Sequence, residues 1–142
     1  MNREELKQLL PHRDNMLLLD DAVREGDTAV AHYHVRGDEF FLRGHFPDHP
    51  IVPGIILCEI MAQSACVLAD ASKEQYLPVY SGLDHVRFRH PVVPGDTLTV
   101  HSRINRRKGQ FLFAEGEVSV GDTVCMTGQF VLALVKKDEL GV

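Results

Sequence analysis

Residues 54–71 read GIILCEIMAQSACVLADA, an 18-residue run with almost no polar side chains. Pro53 precedes the run, and proline suits the first turn of a helix because an N–H there needs no intrahelical partner. We therefore predict a helix over residues 54–71, and a helix that is apolar all round must be buried on all sides. A membrane span is the alternative. It is disfavoured because the run is short, contains Glu59 and lacks basic flanking residues.

Alternating apolar and polar side chains predict β-strands on both sides of this helix. Gly121 and Asp122 separate two alternating stretches, which is a strong signal for a β-hairpin. A sheet can bury such a helix only by curling around it, so we predict an α+β architecture with one long helix among mostly antiparallel strands. The predicted strands cover residues 28–35, 76–89, 97–106, 111–120 and 123–135, and a short amphipathic helix covers residues 2–10.

Length, composition and charge narrow the classes of function. The 142 residues fit one compact domain, which we take as residues 1–142. A formal charge of −5 and the absence of tryptophan disfavour nucleic-acid binding. Residues 1–8 are polar and charged rather than an apolar signal segment, so the expected location is the cytoplasm, without membrane insertion. The three cysteines have no regular spacing, and we expect reduced, mostly buried thiols.

Glu59 is the first candidate for chemistry because it lies inside the apolar run. Burial of a carboxyl group disfavours its charged form, so we expect a raised pKa and a proton on Glu59 near neutral pH, as a general acid requires. Gln63 lies one helical turn further on, where it can hydrogen-bond the carboxyl group and orient it. The alternative is that Glu59 has only a structural role, either facing solvent at the edge of the helix or pairing with a buried arginine.

His45 and Gly54 are further candidates. His45 lies in the sequence Gly-His-Phe-Pro, where glycine and proline favour one fixed backbone path and hence a positioned imidazole base. Gly54 opens the predicted helix, where backbone N–H groups lack partners and can bind an oxygen that develops negative charge. A purely structural histidine and a plain turn glycine are the alternatives. The sequence has no CxxC or HExxH pattern, so we predict no metal site.

Several stretches resemble the β-hydroxyacyl-acyl-carrier-protein dehydratases of the FabZ type. Residues 44–54 (GHFPDHPIVPG) followed by residues 59–63 (EIMAQ) are similar to the active-site block of that family. The other matching stretches are LPHR at residues 10–13, SGLD at 81–84, VRF at 86–88 and PVVPGD at 91–96. The resemblance covers nearly the whole chain, in order and at matching spacing.

The resemblance implies a hotdog fold, in which an antiparallel sheet wraps a long helix, and a homodimer with two active sites at the interface, often assembled as a trimer of dimers. It implies that His45 is the base and Glu59 the acid, contributed by different subunits. The Gly54 N–H would bind the thioester carbonyl and Gln63 would support Glu59. The implied reaction removes water from a (3R)-hydroxyacyl chain on acyl carrier protein in type II fatty-acid biosynthesis, giving a trans-2-enoyl thioester without a cofactor.

Several alternatives remain open from the sequence. A related dehydratase could also isomerise its product, although the isomerising branch usually has Asp at the acid position. A dehydratase of a specialised polyene or polyketide pathway would carry the same residues. An acyl thioesterase of the same fold and a non-catalytic acyl-binding subunit are less favoured, because this chain keeps both His45 and Glu59.

Overall fold

The computed structural model describes residues 1–70 and 74–140, in which one helix packs against one six-stranded sheet. The two α-helices are α1 (Arg3–Leu6) and α2 (Gly54–Cys66). The strands are β1 (Asp21–Glu25), β2 (Thr28–His34), β3 (Tyr76–Phe88), β4 (Thr97–Lys108), β5 (Phe111–Val120) and β6 (Thr123–Lys136). Short 3-10 turns lie at Asp14–Met16, Phe40–Leu42 and Lys137–Leu140.

All neighbouring strands pair antiparallel, in the order β1-β2-β4-β5-β6-β3. The α+β class and the five predicted strands are confirmed, with boundaries within two residues. Strand β1 was not predicted because it is short and its side chains do not alternate clearly. It forms through pairing with β2, in a register that places Asp21 opposite His32.

The sheet bends around α2 with the help of irregular pairing. Register shifts occur between Tyr80 and Gly82 in β3 and between Ile104 and Arg106 in β4. Such bulges increase local twist and bend a strand, which lets a long sheet curl. The inward-facing side chains of β2 are the alternating residues Ala29, Ala31 and Tyr33, all buried.

Helix α2 confirms the predicted buried helix, but two details of the prediction are wrong. The helix ends at Cys66 rather than at residue 71, because Val67 and Leu68 bond back three residues and tighten the last turn. It is also not buried on all sides, since Ile55 is 68% exposed. Residue 71 itself lies outside the described residues. Within the described parts of the chain, no helix is long and apolar enough to cross a membrane.

The turn that follows α2 is held by arginines from the sheet. Arg107 donates hydrogen bonds to the carbonyl oxygens of Leu68 and Ala69, and its guanidinium lies 3.5 Å from the Asp70 carboxylate. Arg24 binds the same carboxylate through both of its terminal nitrogens. Arginine suits this position because carbonyl groups at and just beyond the end of a helix lack intrahelical donors.

Two glycines let α2 approach the sheet closely. Gly116 on β5 lies directly opposite Gly128 on β6. A Cβ atom on Gly116 would lie 2.5 Å from Cγ of Met61, and one on Gly128 would lie 3.5 Å from its Cε. Met61 is fully buried and occupies the space that the missing side chains leave.

The N-terminal helix is shorter than predicted, covering Arg3–Leu6 rather than residues 2–10. Asn2 caps it by accepting a hydrogen bond from the Glu5 N–H. Leu6 and Leu10 are buried as expected for one apolar face, but Leu9 is exposed. The chain then runs along α2 through the buried residues Leu17–Leu19 before it enters the sheet.

Candidate active site

His45 is held in a defined orientation by the loop before α2. Its Nδ1 lies 3.0 Å from the carbonyl oxygen of Ile51, and the Ile51 N–H donates to the carbonyl of His45. A carbonyl oxygen only accepts, so Nδ1 carries the proton and the neutral ring has a free lone pair on Nε2. The ring also stacks on Phe46. His45 therefore presents a fixed proton acceptor, as a general base requires.

Glu59 lies in the middle of α2, with 25% of its side chain exposed. Its Oε1 atom receives two contacts: Nε2 of Gln63 donates to it at 3.0 Å, and Nε2 of His12 lies 3.2 Å away. The hydrogen bond from Gln63 is the one that helical spacing suggested. The contact with His12 comes from a distant part of the chain, 47 residues earlier in the sequence.

The expected raised pKa of Glu59 is wrong for the single chain. Burial does raise the pKa, but hydrogen bonds from His12 and Gln63 and the electrostatic attraction of His12 outweigh it. The pKa of Glu59 therefore lies below the ordinary glutamate value. The sequence revealed that Glu59 is surrounded by apolar residues and that Gln63 can donate to it, but it did not reveal the second donor, His12.

Gln63 links α2 to the N-terminal segment and is fully buried. Its Oε1 accepts the N–H of Leu18 at 2.9 Å, and its Nε2 donates to the carbonyl of Met16 at 2.7 Å as well as to Glu59. The two backbone partners fix which end of the amide is nitrogen. Gln63 therefore can only donate to Glu59.

His12 is a residue of this site that sequence reasoning missed. It lies in the stretch LPHR, which contributed to the family resemblance without suggesting a role for the histidine. Nothing in the local pattern indicated that this loop returns to the middle of α2. The Nδ1 atom of His12 is buried and has no hydrogen-bond partner among the described residues.

Gly54 begins α2 after Pro53, so its N–H has no acceptor one turn earlier in the helix. A Cβ atom at this position would lie 2.7 Å from the ring of Phe88, which is 56% exposed. The structure therefore explains why residue 54 is a glycine, which the sequence did not: the ring of Phe88 occupies the space that a side chain would need. The N–H itself lies at the start of a helix dipole that favours negative charge.

Tyr80 is a second residue that the sequence did not single out. Its hydroxyl donates to the carbonyl of Cys58, which ties strand β3 to α2 beside Glu59. Burial raises the pKa of Tyr80, and burial raises the pKa of the Cys66 thiol to about 12. Both groups are therefore uncharged near neutral pH.

The structure brings together Glu59, Gln63 and His12, with Gly54 at the start of the same helix. In residues 1–70 and 74–140, no hydrogen bond or ion pair joins His45 to Glu59. Those residues also contain no group of three or more His, Cys, Asp or Glu side chains that could hold a metal ion. The three cysteines are free and buried, as predicted.

A carboxyl group on a sheet-wrapped helix, in contact with the imidazole of His12, is a site for acid–base chemistry on a bound substrate. Residues 10–129 match the family model described as a FabA-like domain, and the chain belongs to this family. Its resemblance to the FabZ type is confirmed by curated relatives named 3-hydroxyacyl-[acyl-carrier-protein] dehydratase FabZ. The relative from Natranaerobius thermophilus is 41% identical over 94% of this chain and 96% of its own length. That from Myxococcus xanthus is 36% identical over 97% and 94%.

Solved structures confirm the hotdog architecture. The structure titled "The Dehydratase Heterocomplex ApeI:P from Xenorhabdus doucetiae" is similar with a TM-score of 0.82 and 25% identity, covering 95% of this chain and 93% of that one. A probable thioesterase from Bartonella henselae has a TM-score of 0.62 at 18% identity, covering 80% of this chain and 94% of its own. The second likeness shows the fold alone.

Proposed function

We propose that this chain removes water from a (3R)-3-hydroxyacyl chain on acyl carrier protein, giving a trans-2-enoyl thioester in type II fatty-acid biosynthesis. The observation that carries the proposal is the match to FabZ dehydratases at 35–41% identity over 94% of the chain. The site supports it, because the free Nε2 of His45 suits a base and the Glu59 carboxyl suits a partner acid.

In the proposed reaction, the Gly54 N–H donates to the thioester carbonyl and so makes the α-carbon more acidic. Nε2 of His45 takes the α-proton, and the electrons of that C–H bond form the new double bond. The bond between the β-carbon and its hydroxyl breaks as Glu59 donates a proton, so the hydroxyl leaves as water. Transfer of the proton from His45 back to Glu59 through solvent restores the site. Gln63 keeps Glu59 in place throughout.

The proposal requires that Glu59 carry a proton when substrate is bound, although its pKa is low in the single chain. A bound acyl chain and a second subunit would remove water from a carboxyl group that is now 25% exposed. Loss of water raises the pKa of a carboxyl group. Closure of the site therefore moves Glu59 toward the protonated form that donates to the leaving hydroxyl.

We further propose a homodimer in which His45 of one copy and Glu59 of the other form each site, with a trimer of dimers as the larger assembly. The absence of contact between these residues within the described parts of one chain supports a shared site. Strand β3 is an edge strand with an unpaired side, and it exposes Val79, Leu83 and Phe88. A long edge with exposed apolar side chains favours pairing with another chain.

Mixing of two inactive variants tests this arrangement. His45→Ala and Glu59→Gln are purified separately, unfolded and refolded together, and assayed for loss of water from (3R)-hydroxyacyl carrier protein. In a shared-site dimer, half of the randomly formed dimers have one intact site of two, so about a quarter of wild-type activity returns. A mixture of His45→Ala with the double variant is the control and stays inactive. No recovery in the first mixture would contradict the shared site.

We also propose a cytoplasmic location for this reaction. Fractionation of cells that express the tagged chain tests it, with a cytoplasmic enzyme as the marker. Recovery of the chain with the membrane fraction, after a salt wash, would contradict the proposal.

A further inference from the structure

We propose that His12 is a positioning residue for Glu59, which turns the carboxyl group so that Oε2 faces the β-hydroxyl of the substrate. The inference rests on the proposed function, because it assigns a task to a second histidine at the same carboxyl group. Both contacts to Glu59 fall on one oxygen: Nε2 of His12 at 3.2 Å and Nε2 of Gln63 at 3.0 Å from Oε1. Within the described residues, Oε2 receives no hydrogen bond, which leaves it for the substrate.

The loop that carries His12 is firmly attached. Arg13 donates to the carbonyl oxygens of Leu10 and His12, each at 2.7 Å, and to that of Lys7 at 3.0 Å. Further along the same segment, Gln63 binds the backbone on both sides of residue 17. The histidine ring is only 20% exposed. These contacts make His12 a fixed part of the site rather than a mobile surface side chain.

The two ring nitrogens of His12 have different surroundings. Nδ1 is buried without a partner among the described residues, whereas Nε2 faces Glu59. A buried N–H without an acceptor is costly, so a neutral ring keeps its proton on Nε2. A charged ring also has a proton there, so both forms donate to Oε1 of Glu59. His45 has the opposite arrangement, with its proton on Nδ1 and a free Nε2.

The other titratable groups near Glu59 do not hold its carboxyl group in position. Cys66 lies about two turns further along α2. Tyr80 approaches from β3, where its hydroxyl donates to the carbonyl of Cys58. Both groups have raised pKa values and stay uncharged near neutral pH. Among the described residues, His12 is thus the titratable group that contacts the Glu59 carboxyl directly.

Three substitutions of His12 separate positioning from general packing. His12→Gln keeps an N–H near the position of Nε2, whereas His12→Asn places its amide near Nδ1 and cannot reach Glu59. His12→Phe keeps the ring shape without a donor. We expect kcat to fall about 10- to 100-fold in the Asn and Phe variants, with KM changed by less than about threefold, because a misplaced catalytic group costs rate rather than binding. The Gln variant recovers most of kcat.

An infrared titration provides a readout that does not depend on activity. The carboxyl stretch of protonated Glu59 is assigned by its absence in Glu59→Gln, and its intensity is followed against pH. The pKa of Glu59 rises in the Asn and Phe variants, because two of the influences that lower it come from His12. His34→Gln, on the exposed side of β2, is the matched control and leaves both readouts unchanged.

The outcomes are distinguishable. An unchanged Glu59 pKa together with unchanged kcat in the Asn variant would overturn the role of His12. If His12→Phe does not fold, the comparison of His12→Asn with His12→Gln still tests the role of His12, because both new side chains are polar and of similar size. A wild-type protein without dehydratase activity would contradict the proposed function, while the infrared titration would still test whether His12 acts on Glu59.

Discussion

Gln63 donates a hydrogen bond to Glu59 one turn earlier on the same helix, and at the same time binds the backbone at Met16 and Leu18. The amide is fully buried, so its own polar atoms lose water on folding and depend on these three partners. This single side chain therefore couples the candidate acid to the N-terminal segment that carries His12. Loss of Gln63 should affect both the stability of the protein and the placement of Glu59.

We predict that Gln63→Met lowers the free energy of unfolding by about 2–4 kcal/mol, because it leaves the buried N–H of Leu18 and the partly buried carbonyl of Met16 without their partner. The change is measured by urea unfolding at one protein concentration, since assembly shifts apparent stability. Gln8→Met, on the exposed part of the N-terminal segment, is the control and changes stability by less than about 0.5 kcal/mol. Equal stability of the two variants would show that the buried amide contributes little.

The pKa of Glu59 predicts how stability depends on pH. Its folded-state value is lower than the unfolded value of about 4.3, so its contribution is fully present above that pH and is lost as the pH falls through the folded-state pKa. The stability difference between wild type and Glu59→Gln should therefore stay constant from pH 7 to about 5 and shrink in more acidic solution.

Urea unfolding over a series of pH values measures this difference, with Glu25→Gln as an exposed-carboxylate control. A wild-type protein that instead gains stability relative to Glu59→Gln between pH 7 and 5 would indicate a raised pKa. That result would mean that burial, not the contacts with His12 and Gln63, dominates in solution.

Close packing of Met61 against Gly116 predicts a large effect of a single methyl group. In Gly116→Ala the new Cβ would lie 2.5 Å from Cγ of Met61 and 3.2 Å from the carbonyl oxygen of His101. We expect a loss of about 1–3 kcal/mol in the free energy of unfolding, as for other overpacked cores. Gly82→Ala is the matched control, because its nearest neighbour, Val131, is 4.0 Å away. A Gly116→Ala protein as stable as the control would show that Met61 moves aside freely.

Most of the fold followed from local patterns. Alternation identified the five long strands, because an inward side chain such as Ala31 must be apolar and its outward neighbours need not be. The apolar run identified α2. The end of this helix was not predictable, because Val67 and Leu68 are as apolar as the residues before them, and the carbonyl groups that follow are bound by Arg107 from a distant strand.

The candidate site was only partly predictable, because some of its contacts come from distant parts of the chain. The contact between Glu59 and Gln63 follows from helical spacing, and the sequence identified both residues. The approach of His12 to Glu59 depends on the path of the N-terminal segment, which no periodic pattern describes. The error in the expected pKa of Glu59 arises because His12 and the predicted donor Gln63 together outweigh the effect of burial. The aromatic ring of Phe88 beside Gly54 likewise depends on how the edge strand packs.

In the proposed reaction, His45 and Glu59 together remove water from a 3-hydroxyacyl thioester. Incubation of the purified protein with (3R)-hydroxyacyl carrier protein, followed by mass spectrometry of the carrier-bound chain, tests it most directly beside His45→Ala and Glu59→Gln. We expect loss of one water with the wild type and severely slowed loss with both variants. An unchanged acyl mass with the wild type, or a free acid and free carrier thiol as products, would contradict it.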